Sequence, residues 1–123
     1  HSSEVPPQIQ TGIERRVVQE CKEFLSSRTD QNVSLSELEA VANIDQFRLV
    51  KVFSRLVGLP PHAWHLQYRL RKAQDLLSRG QKIADVAYTT GFADQAHLSR
   101  AFKRLTGLTP GNYRRTHLAM LDI

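Results

Sequence analysis

Part of this chain is written twice, and the repeat fixes what it can fold into. The segment 45–61 recurs at 94–110, 49 positions later. Asp45 matches Asp94, Gln46 matches Gln95, Leu49 matches Leu98 and Phe53 matches Phe102. Arg55, Leu56, Gly58, Leu59 and Pro61 match Arg104, Leu105, Gly107, Leu108 and Pro110. Lys51 answers to Arg100, and Trp64 to Tyr113. Each copy opens on a helix-capping aspartate and closes on a glycine stop. A duplicated basic helix presents two similar surfaces. Duplex DNA offers two similar partners, because its grooves return with every turn.

Charge distribution sharpens this reading. Net charge is +5 over 123 residues. Residues 1–44 hold four Lys/Arg against seven Asp/Glu, while residues 45–123 hold thirteen against five. The basic excess lies with the repeat and points to an anionic partner, most simply nucleic acid. No apolar run approaches the ~20 residues that span a bilayer, so no membrane partner is expected. The one cysteine, Cys21, allows no internal disulfide and fits a reducing cytoplasm. It lies on the stripe Ile13, Val17, Cys21, Phe24 and reads as a buried small hydrophobe.

Helix signals organise the rest. Residues 1–12, with Pro6, Pro7 and Gly12, read as a linker or tag remnant. A first helix is expected over 13–27. Ser34 and Glu37 form a capping-box pattern ahead of a short helix over 35–42 that buries Leu35, Leu38 and Val41 or Ala42. Asn43 ends it in the left-handed conformation, and Asp45 caps the next helix, which runs to Val57. A longer helix over 61–79 carries the inward face Leu66, Leu70, Ala73, Leu77. The second copy then gives a short helix over 83–90, with Val86 and Ala87 inward, and a helix from Asp94 to Thr106. A last turn or two covers 110–115. No segment alternates like a strand. The expected fold is all-α, with seven helices. A first subdomain occupies 13–60, a connecting helix 61–79 and a second subdomain 80–123.

A short helix, a tight turn and a second helix make a helix-turn-helix unit. The 3.6-residue period assigns faces to the second helix of each unit. Leu49, Val52, Phe53 and Leu56 face inward in the first copy, as do Leu98, Ala101, Phe102 and Leu105 in the second. The outward stripe is Phe47, Val50, Lys51, Ser54, Arg55 in one copy. In the other it is Ala96, Ser99, Arg100, Lys103, Arg104. Lys51 and Arg55 are like charges four apart, as are Arg100 and Arg104. Each such pair destabilises a helix by roughly 0.2–0.5 kcal/mol, which a merely solvated face has no reason to accept twice. Phe47 and Val50 are apolar on the outward side, where thymine methyls offer contact; the competing expectation folds Phe47 back onto a neighbouring helix.

In a major groove Arg bridges guanine O6 and N7, and Gln bridges adenine N6 and N7. Arg100 and Gln95, with Lys51 and Gln46 as their counterparts, are therefore the first candidates for base reading, and Ser99 and His97 the next. Arg48, Ser54, Arg55, Lys103 and Arg104 are candidates for phosphate, which sets register without reading sequence.

These residues carry a resemblance. Ile83, Ala84, Asp85, Val86, Ala87, then Gly91 and Phe92, then the run 99–104, then the run 107–110, then Tyr113 and Arg114 are similar to the DNA-binding domain of the AraC/XylS family of bacterial transcription regulators. The first copy agrees through Leu35, Leu38, Ala42, Leu49, Phe53, Gly58 and Pro61. It departs at Asn43, where the family usually has glycine. The resemblance covers 33–115. It implies a seven-helix, homeodomain-like domain whose two helix-turn-helix units place their second helices in successive major grooves. Carried over by position, base readers include Phe47, Val50, Lys51, Gln95, Ala96, His97, Ser99 and Arg100. It implies double-stranded DNA as partner and RNA polymerase as a further one. Effector binding and dimerisation would fall to a domain outside this chain, and no cofactor is implied.

Two other classes compete. An enzyme lacks a supporting constellation: His62 and His65 have no cysteine or carboxylate nearby to complete a metal site, and His117 is unaccompanied. A protein-interaction module could use Phe47 and Val50 against a partner helix.

Overall fold

A computed structural model describes residues 6–121, with side chains through residue 119. Residues 1–5 of the expected linker or tag remnant lie outside the described residues. Seven helices occur among them and no strand: α1 (Pro7–Ser26), α2 (Leu35–Ala42), α3 (Gln46–Val57), α4 (Pro61–Ser78), α5 (Ile83–Thr89), α6 (Gln95–Thr106) and α7 (Pro110–Leu121). They divide into two units, one of residues 6–28 and 33–65, the other of residues 29–32 and 66–121. The first turn of α4 belongs to the first unit and the remainder to the second.

Local signals set most helix ends. The Ser34 hydroxyl accepts from the Glu37 amide at 3.1 Å, and the Ser34 amide donates to the Glu37 carboxylate at 3.2 Å. Asp45 Oδ1 accepts from the amides of Phe47 and Arg48, both at 3.1 Å. Asp94 Oδ1 accepts from the His97 amide at 2.8 Å. Each cap satisfies amides that the first helical turn leaves unpaired, worth about 1 kcal/mol. Asn43 takes φ 53° and ends α2, as expected.

In the first unit α1 packs on both α2 and α3. Its core joins Val17, Val18, Cys21 and Leu25 to Leu38, Ala42, Leu49, Val52 and Phe53. The second core joins Leu70, Ala73, Leu76 and Leu77 of α4 to Val86, Ala87, Phe92, Leu98 and Phe102. An aromatic edge contact closes each at matching repeat positions. Phe53 meets Trp64 with centroids 6.2 Å apart, and Phe102 meets Tyr113 at 5.3 Å. Such pairs add about 0.5–1.5 kcal/mol beyond their burial.

Several expectations are corrected. α1 begins at Pro7, not near residue 13, so residues 7–12 of the presumed linker are helix. Proline suits a first helical turn, and Gly12 lowers helix stability without stopping it. α7 continues to Leu121 because nothing after Arg115 breaks it. The Thr116 hydroxyl donates to the Asn112 carbonyl, and the His117 ring lies against Tyr113 with centroids 4.1 Å apart. Leu35, Leu56 and Leu105 share the inward period yet are exposed. Leu56 is 44% exposed and Leu105 45%. The last turn of α3 and of α6 overhangs its core by the same amount in both copies.

Cys21 is fully buried, and burial with Glu20 beside it pushes its thiol up to about 11. The thiolate is the reactive form. At pH 8 about a thousandth of the thiol is then ionised, against roughly a quarter of an ordinary cysteine. Labelling with a thiol disulfide reagent should be at least ~100-fold slower in the native protein than in denaturant. Equal rates would place Cys21 at the surface.

Candidate nucleic-acid interface

The candidate readers all lie on α3 and α6, the second helix of each helix-turn-helix unit. On α3, Phe47, Arg48, Lys51 and Arg55 are exposed, while Gln46, Val50 and Ser54 are half-buried. On α6, Gln95, Ala96, His97, Arg100, Lys103 and Arg104 are exposed, and Ser99 is half-buried. Phe47 is 81% exposed; it does not fold back onto a neighbouring helix. A large aromatic held in water at the first turn of a helix is available for contact with a partner.

The two faces differ in how their charges are held. Arg55 pairs with Glu14 of α1 at 2.8 Å. That ion pair relieves the repulsion from Lys51 and gives Arg55 a structural partner that the sequence did not reveal. The Arg55 side chain is 58% exposed and that of Glu14 only 15%, so the pair is open to solvent on its α3 side alone. Arg100 and Arg104 have no ion-pair partner among the described residues. On α6 the repulsion between like charges stands, and the face is left open to an anion.

The turns that aim the two helices also differ. In the first unit three residues, Asn43 to Asp45, separate α2 from α3. A Glu39 carboxylate oxygen accepts from the Gln46 amide at 2.9 Å and ties α3 to α2. In the second unit five residues, Thr90 to Asp94, separate α5 from α6. Phe92 is buried there, and its ring meets His97 edge-on at 5.1 Å. The Ala93 amide reaches His97 Nδ1 at 3.4 Å, a long contact. His97 is therefore partly engaged by its own turn.

Sequence reasoning missed Arg69, which is only 3% exposed. Its Nε donates to the Thr90 carbonyl and its Nη2 to the Gly91 carbonyl, both at 2.7 Å. Nη1 donates to Asn32 Oδ1 at 3.0 Å. Burial lowers its pKa from the ordinary arginine value. A charge inside the apolar arc of Leu66, Leu70 and Ala73 was the available signal.

The histidines weighed as metal ligands have other surroundings. His65 is buried with Nε2 2.9 Å from the Arg28 carbonyl. A carbonyl only accepts, so that nitrogen carries the proton. No group of three or more His, Cys, Asp or Glu is placed to hold a metal among the described residues.

Comparison with known proteins agrees with this architecture. The family model "Helix-turn-helix domain" matches residues 38–116. The probable transcriptional regulator LumQ of Photobacterium leiognathi is 33% identical over 92 residues, covering 74% of this chain and 37% of that protein. The HTH-type transcriptional regulator MtrA of Neisseria gonorrhoeae is 35% identical over 83 residues, covering 67% of this chain and 28% of that protein. The chain thus spans about a third of the length of such relatives. Among solved structures, the DNA-binding domain of AdpA in complex with a target DNA superposes with TM-score 0.78 at 25% identity, covering 84% of this chain and 94% of that one. The C-terminal domain of AraT, a response regulator from Geobacillus stearothermophilus, gives TM-score 0.76 at 25% identity, covering 81% and 84%. A duplicated helix-turn-helix, seven helices and a match over most of the chain lead to one assignment: the chain belongs to the AraC-type family of helix-turn-helix DNA-binding domains.

Proposed function

We propose that this chain binds double-stranded DNA sequence-specifically through two unlike reading heads, as the DNA-binding part of a transcription regulator. One observation carries the reading: the buried Leu49 and Phe53 recur as Leu98 and Phe102, while on the outward faces Phe47 stands where Ala96 does, Val50 where Ser99 does and Ser54 where Lys103 does. A scaffold duplicated with different surfaces fits two different half-sites in successive major grooves. On α3, Gln46, Phe47, Val50 and Lys51 read bases, with Phe47 and Val50 against thymine methyls. On α6, Gln95, Ala96, His97, Ser99 and Arg100 read them. Arg48, Ser54, Arg55, Lys103 and Arg104 hold phosphates and set register.

No catalytic step or cofactor enters this function. Effector binding and dimerisation belong, in this reading, to protein outside these residues. RNA polymerase is a further partner of the DNA-bound regulator, which acts in the bacterial cytoplasm.

Arg100 gives the direct test, because its guanidinium is exposed and has no ion-pair partner among the described residues. Arg100→Ala should weaken binding to the preferred site by ~1–3 kcal/mol and relax the base preference at one position. Competition among single-base variants of the site measures both. An unchanged preference removes Arg100 from the reading set.

A further inference from the structure

Arg69 touches three consecutive residues of the turn that launches α6. It holds the Thr90 and Gly91 carbonyls through separate nitrogens, and its guanidinium carbon lies 4.5 Å from the Phe92 ring centroid. Phe92 in turn packs against His97, and its amide donates to the Ala87 carbonyl at 2.9 Å. A planar fork with fixed donor directions places acceptors far more tightly than a single rotating ammonium. Asn32 orients the remaining arm of that fork. The first copy holds its turn differently: Glu20 stands 49 positions before Arg69, and Glu39 ties α3 to α2.

We propose that Arg69 is a positioning residue for the second reading head: it sets where α6 lies, and hence the base preference of Gln95, His97, Ser99 and Arg100, without touching DNA. This rests on α6 being a DNA-reading helix. Base contacts need placement within about 0.5 Å, so loosening the turn should blur α6 alone. The α3 head has its own tie and should keep its preference.

The test uses the full chain with Arg69→Lys and, separately, Asn32→Ala. Arg69→Lys keeps the charge and loses the fork; Asn32→Ala removes one bond of three. Circular dichroism establishes that each variant is folded, and anisotropy measures binding to the preferred site and to single mismatches in each half. A mismatch against an intact reader is penalised about 5- to 150-fold. In Arg69→Lys the penalties in the α6 half should fall to about threefold or less, with those in the α3 half unchanged. Asn32→Ala should move the same penalties in the same direction by less, and it decides the matter if Arg69→Lys does not fold. The salt slope should not change, since a buried arginine neutralises no phosphate.

Folded variants with both sets of penalties intact would overturn the proposal, leaving Arg69 a purely structural role. Equal losses in both halves, or a salt slope reduced by about one, would overturn it as well. If the wild-type chain shows no mismatch penalty anywhere, the DNA-reading function itself fails and this proposal with it.

Discussion

Raising salt from 50 to 200 mM is expected to weaken DNA binding by at least about 10²-fold. Each phosphate neutralised by Lys or Arg releases condensed counterions and contributes about 0.9 to the slope of log affinity against log salt. Of the phosphate-holding set, the cations Arg48, Arg55, Lys103 and Arg104 lie exposed on α3 and α6. Four contacts give a slope near −3.6, and a fourfold change in salt then costs about two orders of magnitude. The tie between Arg55 and Glu14 lowers the slope by at most about one, if it survives on DNA. Anisotropy titrations at several salt concentrations measure it. A slope near zero would mean that the outward faces meet something other than a polyanion, as the protein-interaction alternative requires.

Gly91→Ala is expected to destabilise the second unit by about 2–5 kcal/mol. Two penalties add. Gly91 has φ 78°, where an L side chain costs roughly 1–2 kcal/mol. A Cβ there would also lie 2.7 Å from backbone atoms of both Asp30 and Gln31, and backbone cannot rotate away. Overpacking of this kind adds about 1–3 kcal/mol. Gly107 separates the two terms, since it has φ 81° but no heavy atom within 4 Å of a built Cβ. Gly107→Ala should therefore cost only the ~1–2 kcal/mol of strain. Chemical denaturation of both variants compares them. Equal losses would show that the segment 29–32 yields and that close approach at Gly91 matters little.

The contrast between these glycines shows what a sequence can and cannot display. Caps and stops are local chemistry, so Ser34, Asn43, Asp45, Asp94 and Gly107 marked their helix ends legibly. The repeat extended that legibility, because the aspartate cap and the glycine stop each occur in two places. Burial at helix ends was not legible. Leu56 and Leu105 keep the inward period, yet where a partner helix stops is not written in the helix that overhangs it. Pro6 and Pro7 announce a helix start as well as a linker, and only packing decides between them.

The exposed faces of α3 and α6 followed from periodicity alone. Their tethers did not. Glu14 and Arg55 are far apart in sequence, and Arg69 lies 37 residues from Asn32 and 21 from Thr90. A buried guanidinium takes its meaning from carbonyls that only the folded chain brings to it. Gly91 likewise reads as a helix stop, whereas its neighbours Asp30 and Gln31 make it a close-approach site too.

In the proposed function one scaffold, used twice, carries two different reading heads. Selection of bound sites from random duplex DNA tests it most directly. Two preferred segments are expected, centred one helical turn apart, about 10 base pairs or 34 Å. Their sequences should be unlike each other: Lys51→Ala should relax the first and Arg100→Ala the second. A single preferred segment, or one half-site occurring twice, would contradict it.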